Sequence, residues 1–410
     1  MTEIDYEEKF IDVHSEIDQD KYLLCHFHIE ADNVRHAANV AAGESSVGTW
    51  TPIGTMKDRI ERLAAKVVSI KGNEITIAYP IDMFVDNSIP QLLSDVAGNI
   101  FGMKEVHNLR LSGIDFPDDY VKTFKGPAFG MKGVRKLLGT DKSGRPHVGT
   151  IVKPKIGLNP KETAEVAYES YYGGCDLVKD DENLTNQRFC PFEDRIVNVL
   201  EALDRASEET GEKKAYAANV TGPRMLEQAQ FVKDHGGNCV MLDIIAAGYY
   251  ALQELRDADL GMFIHAHRAM HAAMTHSPVH GVSMGVLALL ARLGGADQLH
   301  IGTVIGKMEG GKKEVLNNKE QLERPMGPHN PTFAVCSGGL HPGHVPDLVS
   351  IMGTDIVIQA GGGIHGHPDG TIEGARALRQ SVDATMKNIP INEYAKEHEQ
   401  LAKALELWNK

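Results

Sequence analysis

His147-Val148-Gly149-Thr150-Ile151-Val152-Lys153-Pro154-Lys155-Ile156-Gly157 reads as a strand, and Asn159-Pro160-Lys161-Glu162 directly after it reads as the start of a helix. Asparagine suits the N-cap, proline the first helical position, and a glutamate three residues past the cap completes a capping box. Gly173-Gly174 closes that helix, and the apolar run 175–178 begins a second strand. Strand, helix, strand is the repeating unit of a parallel sheet.

The alternation continues along the chain. KAYAANV (214–220), NCVMLDI (238–244), GMFIHAH (261–267), QLHIGTV (298–304), PTFAVCS (331–337) and TDIVIQA (354–360) are further strand candidates, which makes eight in all. Between them lie helical patterns such as Ile196, Leu200 and Leu203 on one face, and GVSMGVLALLARL before Gly294-Gly295. Eight such units over about 260 residues predict an α/β fold of the (β/α)8 TIM-barrel type, with its chemistry at the C-terminal strand ends. A doubly wound open sheet would want a glycine-rich fingerprint in the first turn, where this chain has KPKIGLNP. Residues 1–125 lack the rhythm and predict a smaller α+β N-terminal domain; the barrel takes 126–390, and 391–410 reads as one amphipathic C-terminal helix.

Composition removes several classes of function. The chain has 410 residues, 42 Lys and Arg against 56 Asp and Glu, and a formal charge of −14, without a basic run. That balance excludes nucleic acid and anionic membrane as expected partners, though not a small phosphorylated substrate. The five cysteines form no CxxC pair, which fits reduced thiols in a cytoplasmic protein. The acidic start MTEIDYEEKF is no signal peptide, and no apolar run nears the roughly 20 residues of a membrane span.

Polar groups collect at the predicted strand ends. The first strand ends in Lys153-Pro154-Lys155, and the second in Lys179-Asp180-Asp181-Glu182-Asn183. Taken alone the second is an acidic loop in solvent; on a strand, 179 and 181 share a face and Glu182 can join them after a turn. Two carboxylates suit a hard cation such as Mg²⁺, with the lysine the odd member unless converted to an anionic oxygen ligand. The fifth strand carries His265, His267 and Arg268, followed by His271. The HxH spacing would suit zinc, but Arg268 is a poor neighbour for a cation and a good one for phosphate, so His267 reads as an acid–base or hydrogen-bonding group and His265 as structural. His300 ends the sixth strand, Ser337-Gly338-Gly339 the seventh, and Gly361-Gly362-Gly363 the eighth. Two separated anion sites, one at Arg268 and His300 and one at these glycines, would suit a bisphosphate. Gly306-Lys307-Met308-Glu309-Gly310-Gly311 has the composition of a hinged lid whose lysine reaches the centre on closure.

Together these residues resemble the ribulose-1,5-bisphosphate carboxylase/oxygenase (RuBisCO) large chain, in a flavour closer to the archaeal and form II/III-like chains than to the plant type. GESSVGTWT (43–51), AGNIFGM (97–103), IVKPKIGL, GGCDLVKDDEN, HAHRAMH, HIGTVIGKMEG, SGGLHPGH and QAGGGIHGHPDG stand in the family's order over nearly the whole chain. The resemblance implies that Lys179 is carbamylated by an activating CO₂ and binds Mg²⁺ with Asp181 and Glu182. It further implies that the carbamate takes the C3 proton of ribulose 1,5-bisphosphate, that Lys153, supported by Lys155, handles protonation at C2, and that His267 assists hydration. Lys307 would steady the incoming CO₂ and pair with Glu44, while O₂ competes as a substrate. Arg268, His300 and Ser337 match one phosphate end and a sugar hydroxyl; Thr49, Trp50, Gly338, Gly339, Gly361 and Gly362 match the other end, and Asn99 the substrate and metal site. The resemblance gives His271 a supporting role. Since Glu44, Thr49, Trp50 and Asn99 complete a neighbour's site in this family, a head-to-tail homodimer is the expected minimum unit. A RuBisCO-like enolase or isomerase on the same scaffold is the alternative, and a metal-free barrel scaffold a more distant one. The chain departs from the family at Ile151, where threonine is common, and in a short connection between Gly310 and Ser337, whose helix is trimmed to about KKEVLNNKEQLER.

Overall fold

A computed structural model describes residues 8–48, 54–306 and 311–408. Thirteen strands are present among them: β1 (Tyr22–Glu30), β2 (Lys66–Lys71), β3 (Glu74–Pro80), β4 (Asn108–Asp115), β5 (His147–Ile151), β6 (Leu177–Lys179), β7 (Ala215–Asn219), β8 (Cys239–Asp243), β9 (Phe263–His267), β10 (Gly281–Val282), β11 (Gln298–Gly302), β12 (Phe333–Ser337) and β13 (Ile356–Gln359). They form two sheets, and the chain divides into two compact units.

The first unit comprises Met1–Lys125 with Met270–Gly294 and Pro325–His329. Its sheet runs β10-β4-β1-β3-β2. Along β1, Leu23, Cys25, Phe27 and Ile29 are buried and alternate with less buried residues, the two-residue period of a strand with one face on a core. Chain from between two barrel strands supplies β10, which pairs parallel with β4 at Gly281 and Arg110.

The second unit holds the predicted barrel, a closed parallel sheet in the order β5-β6-β7-β8-β9-β11-β12-β13, with β13 returning to β5. The capping box at Asn159 forms as expected: its side chain accepts from the Lys161 and Glu162 backbones, and Glu162 accepts from the Asn159 N–H. One cluster of buried strand residues is apolar, including Leu177, Ala215, Ala217, Met241, Phe263, Phe333 and Val357, as close packing inside a narrow barrel requires.

The N-terminal mouth of the barrel is shut by the helix Gly130–Leu138, whose Val134 and Leu138 join that core. Asp297, just before β11, accepts from the Phe129, Gly130 and Ile264 backbones at 2.7, 2.8 and 2.9 Å. Arg135 donates to Asp355 and Thr354 ahead of β13 and to the Arg145 carbonyl ahead of β5. The barrel therefore opens only at the end where the predicted site residues lie.

The single C-terminal helix expected over 391–410 is broken in two. Ile391–Tyr394 passes into a 3-10 turn, Ala395–Glu397, and Glu399–Trp408 restarts after His398 (φ −133°, ψ 88°). The His398 imidazole bonds the Tyr394 carbonyl at 2.7 Å, taking an acceptor that the backbone would otherwise use. All five cysteines are free and buried. Among the described residues no helix is long and apolar enough to cross a membrane.

Candidate active site

Strand β6 is only three residues long, and its last residue, Lys179, pairs in register with Ile151 on one side and Ala217 on the other. Asp180, Asp181 and Glu182 follow the strand end, so the same-face argument for 179 and 181 gives way to the geometry of a turn. The amine of Lys179 is 1% exposed, donates to the Asp180 carbonyl at 2.9 Å and stands 3.4 Å from Glu182 Oε2. Burial lowers its pKa below the ordinary value; Glu182, Asp181 and Asp243 only partly offset this.

The carboxylates of the motif divide their work. Asp181 accepts from Lys153 Nζ at 2.8 Å and from the Asn183 side chain at 2.9 Å. Burial alone would raise it, but these donors outweigh burial and hold it below the usual carboxylate range. Glu182 behaves alike, burial being offset by Lys179 and His267. Asp180 turns the other way into full burial, where it meets the Tyr216 hydroxyl, the Asn219 N–H at 2.9 Å and Arg195 Nε at 3.2 Å. Asn219 also donates to the Asp181 and Glu182 carbonyls. The turn is thus held from beneath, with Glu182 beside Lys179 and Asp181 on Lys153.

From β9, His267 faces the same cluster, its Nε2 lying 3.7 Å from Glu182 and its Nδ1 3.2 Å from Asp243. His265 is fully buried and bonds Gln298 Oε1 at 2.7 Å and His300 Nε2 at 2.9 Å; His300 in turn bonds the Ser337 hydroxyl at 2.9 Å. Burial pulls His265 down to about 3 and His300 well below its ordinary value, so both rings are neutral. The buried His265 ring is bonded to that of His300. With Gln298 Oε1 as acceptor, the protons run from Ser337 toward Gln298, leaving the Ser337 oxygen lone pairs for a ligand.

Arg268 is buried, yet no carboxylate among the described residues pairs with it. Burial lowers it to about 10, with Glu314 a weak offset. A buried guanidinium lacking an ion pair is a seat for an anion. Gly302 (φ +90°) makes room for it, since a Cβ there would lie 2.8 Å from Arg268 Nη2.

Of the other predicted residues, Lys155 is exposed on the turn after β5, and Gly338, Gly339, Gly361 and Gly362 stand directly after β12 and β13. Glu44 ends the helix Val34–Glu44, Asn99 begins a 3-10 turn, and His271 bonds Thr275 at 2.9 Å, all three in the first unit. Thr49, Trp50 and Lys307 lie outside the described residues, as does 307–310 of the lid motif. A helix follows it over Lys312–Glu323. Reading the sequence did not find Asp180, Arg195, Tyr216, Asn219, Asp243 or Gln298; each acts through a partner far away in the chain, and no local spacing marks it.

Residues 9–120 match the family model of the ribulose bisphosphate carboxylase large chain, N-terminal domain, and residues 130–408 match that of its catalytic domain. The ribulose bisphosphate carboxylase of Methanocaldococcus jannaschii is 49% identical, with 94% of this chain and 96% of that protein aligned. The one from Pyrococcus abyssi is 45% identical over 97% and 96%. Among solved structures, octameric Rubisco from Pyrococcus horikoshii in complex with sulfate superposes with a TM-score of 0.94 at 44% identity, covering 97% of this chain and 96% of that one. Dimeric archaeal Rubisco from Hyperthermus butylicus gives 0.91 at 42%, covering 98% and 99%. With both domains in order along nearly its whole length, the chain belongs to the ribulose bisphosphate carboxylase large-chain family.

Proposed function

We propose that this chain is a ribulose-1,5-bisphosphate carboxylase/oxygenase that depends on Mg²⁺ and an activating CO₂ and works as a homodimer or an assembly of dimers. The observation that carries the reading is the buried Lys179 amine beside Asp181 and Glu182, facing His267, on a barrel rim that also holds Arg268, buried and without a carboxylate partner among the described residues. Those residues fit the cation. Asp181 and Glu182 are ionised hard-oxygen donors, and among the described residues no group of three His, Cys, Asp or Glu stands ready to hold an ion without help. CO₂ taken up by Lys179 supplies the missing oxygen: the neutral amine forms an N–C bond, loses one proton and becomes an anionic carbamate. When bound, the metal would act as a Lewis acid toward the sugar carbonyl and offset the charge of the enolised substrate.

The chain's own residues do the rest. Lys153, 2.8 Å from Asp181, moves a proton at C2 in this reading, with Lys155 beside it in sequence. His267, whose Nδ1 accepts from the Ala269 N–H at 3.2 Å, assists hydration of the carboxylated sugar, which then cleaves to two 3-phosphoglycerates, O₂ competing with CO₂. Arg268, His300 and Ser337 bind one phosphate end and a hydroxyl. The glycines after β12 and β13 take the other end together with Thr49 and Trp50 of a neighbouring subunit, whose Asn99 and Glu44 complete the site, Glu44 pairing with Lys307.

Purified protein preincubated with CO₂ and Mg²⁺ is expected to fix labelled bicarbonate into acid-stable product when ribulose bisphosphate is added. No fixation, with Lys179→Ala behaving identically, would sink the reading. The rate of activation is expected to rise with pH, because only the neutral amine takes up CO₂. Since burial lowers the folded pKa of Lys179, half-activation is expected below pH 10.5. A separate prediction concerns Arg268→Ala, which is expected to raise KM for the bisphosphate roughly 30- to 1,000-fold, equivalent to about 2–4 kcal/mol. Arg268→Lys is expected to recover only part of this, because an ammonium cannot present the planar fork. An unchanged steady-state KM in Arg268→Ala would exclude Arg268 from phosphate binding.

A further inference from the structure

The two glycine segments assigned to one phosphate end are packed on each other, and a third element rests on both. A Cβ at Gly363 would lie 2.1 Å from the Leu340 carbonyl oxygen and 2.8 Å from His341 Cα, so the segment after β13 touches the backbone of the segment after β12. On the far side, the indole of Trp408 stacks on His341, with ring centroids 5.6 Å apart and an interplanar angle of 18°. The same indole approaches Gly366, where a Cβ would meet it at 3.3 Å. One side chain therefore braces both segments, four residues past Ser337 in one and four past Gly362 in the other.

The brace is itself anchored. Its helix, Glu399–Trp408, buries Leu401, Ala404 and Leu405. The Leu401 N–H donates to Gln380 Oε1 at 3.1 Å, His367 Nε2 bonds the Gln400 carbonyl at 3.0 Å, and Lys403 pairs with Asp369 at 2.8 Å. Ser381, from the helix Thr371–Met386 beneath it, donates to the Pro342 carbonyl at 2.7 Å. His341 Nδ1 accepts from the Gly343 N–H at 3.2 Å, which fixes the ring against which Trp408 lies.

We infer that Trp408 is a positioning residue for substrate binding: by stacking on His341 and abutting Gly366, it sets the spacing between the Ser337–Gly339 and Gly361–Gly363 segments. It touches neither substrate nor the reacting atoms, so its effect reaches KM before kcat. The inference rests on the assignment of those glycines to a phosphate end.

The test compares Trp408→Leu, which keeps bulk without a ring plane, with Trp408→Phe, which keeps the plane, in the full-length activated enzyme at a temperature where circular dichroism finds both folded. KM for ribulose bisphosphate is expected to be roughly tenfold higher in the leucine variant, with kcat within about twofold and the phenylalanine variant near wild type. Equal KM values in the two variants would overturn the inference, and so would a fall in kcat at constant KM, the pattern of general structural damage. Wild-type protein that fixes no CO₂ would fail the carboxylase reading instead. The brace would then be judged by the dissociation constant for inorganic phosphate in the same two variants, equal constants again overturning it.

Discussion

Lys179→Ala is expected to lower carboxylase activity roughly a thousandfold or more, while the folded protein survives. The substitution removes the buried amine beside Glu182 that takes up CO₂ in this reading and leaves Asp181 and Glu182 as the carboxylates of the site. The lysine is nearly fully buried, and burial already disfavours its charged form. Removing it therefore relieves a desolvation cost, which offsets the lost contact to Glu182, a residue one third exposed. Circular dichroism melts are expected to place the variant close to wild type. Lys179→Arg should be as inactive, because a guanidinium stays protonated and takes up no CO₂. Fixation of labelled bicarbonate by Lys179→Ala at more than a tenth of the wild-type rate would remove this residue from the mechanism.

Asp176→Ala is expected to cost about 3–5 kcal/mol of stability without altering a group at the rim. Asp176 is 1% exposed and lies just before β6, at the closed end of the barrel. Both its oxygens accept from Arg145, each at 2.7 Å, and Oδ2 also accepts from the Val148 N–H at 2.8 Å. Truncation strands a buried guanidinium and a buried N–H. Burial alone would raise the pKa of this carboxyl, yet Arg145, with His147 and Arg379, outweighs it and holds the folded pKa below the usual 3.8. The stabilisation is accordingly complete above the unfolded pKa and is lost as pH falls through the folded one. Urea unfolding of wild type and variant should differ most at neutral pH and converge below pH 3.8. A gap that stayed constant across that range would assign the loss to packing instead.

The fold was largely legible because its signals are local. Each barrel strand is an apolar run followed by a turn and a helical stripe, and the box at Asn159 forms as the spacing predicts. The rim residues were legible as residue types at strand ends. What stayed hidden was tertiary. The period of a strand places 179 and 181 together and says nothing of Asp180, whose partners Arg195 and Tyr216 arrive from elsewhere in the chain. Gln298 reads as one polar residue in an apolar run, and only the packed barrel sets it beside His265. The break at His398 escaped for a related reason: helical periodicity continues across it, while a side-chain bond to Tyr394 decides the backbone.

The helix Gly130–Leu138, which precedes the barrel's first strand, seals one end of it and is held there by the Asp297 carboxylate just before β11. Cohesion and chemistry are thereby assigned to opposite poles. The loops at the open end can be lengthened, shortened or exchanged without touching the contacts of the seal. A lineage, or an engineer, can therefore rewrite what this barrel transforms while leaving untouched the residues that keep it a barrel.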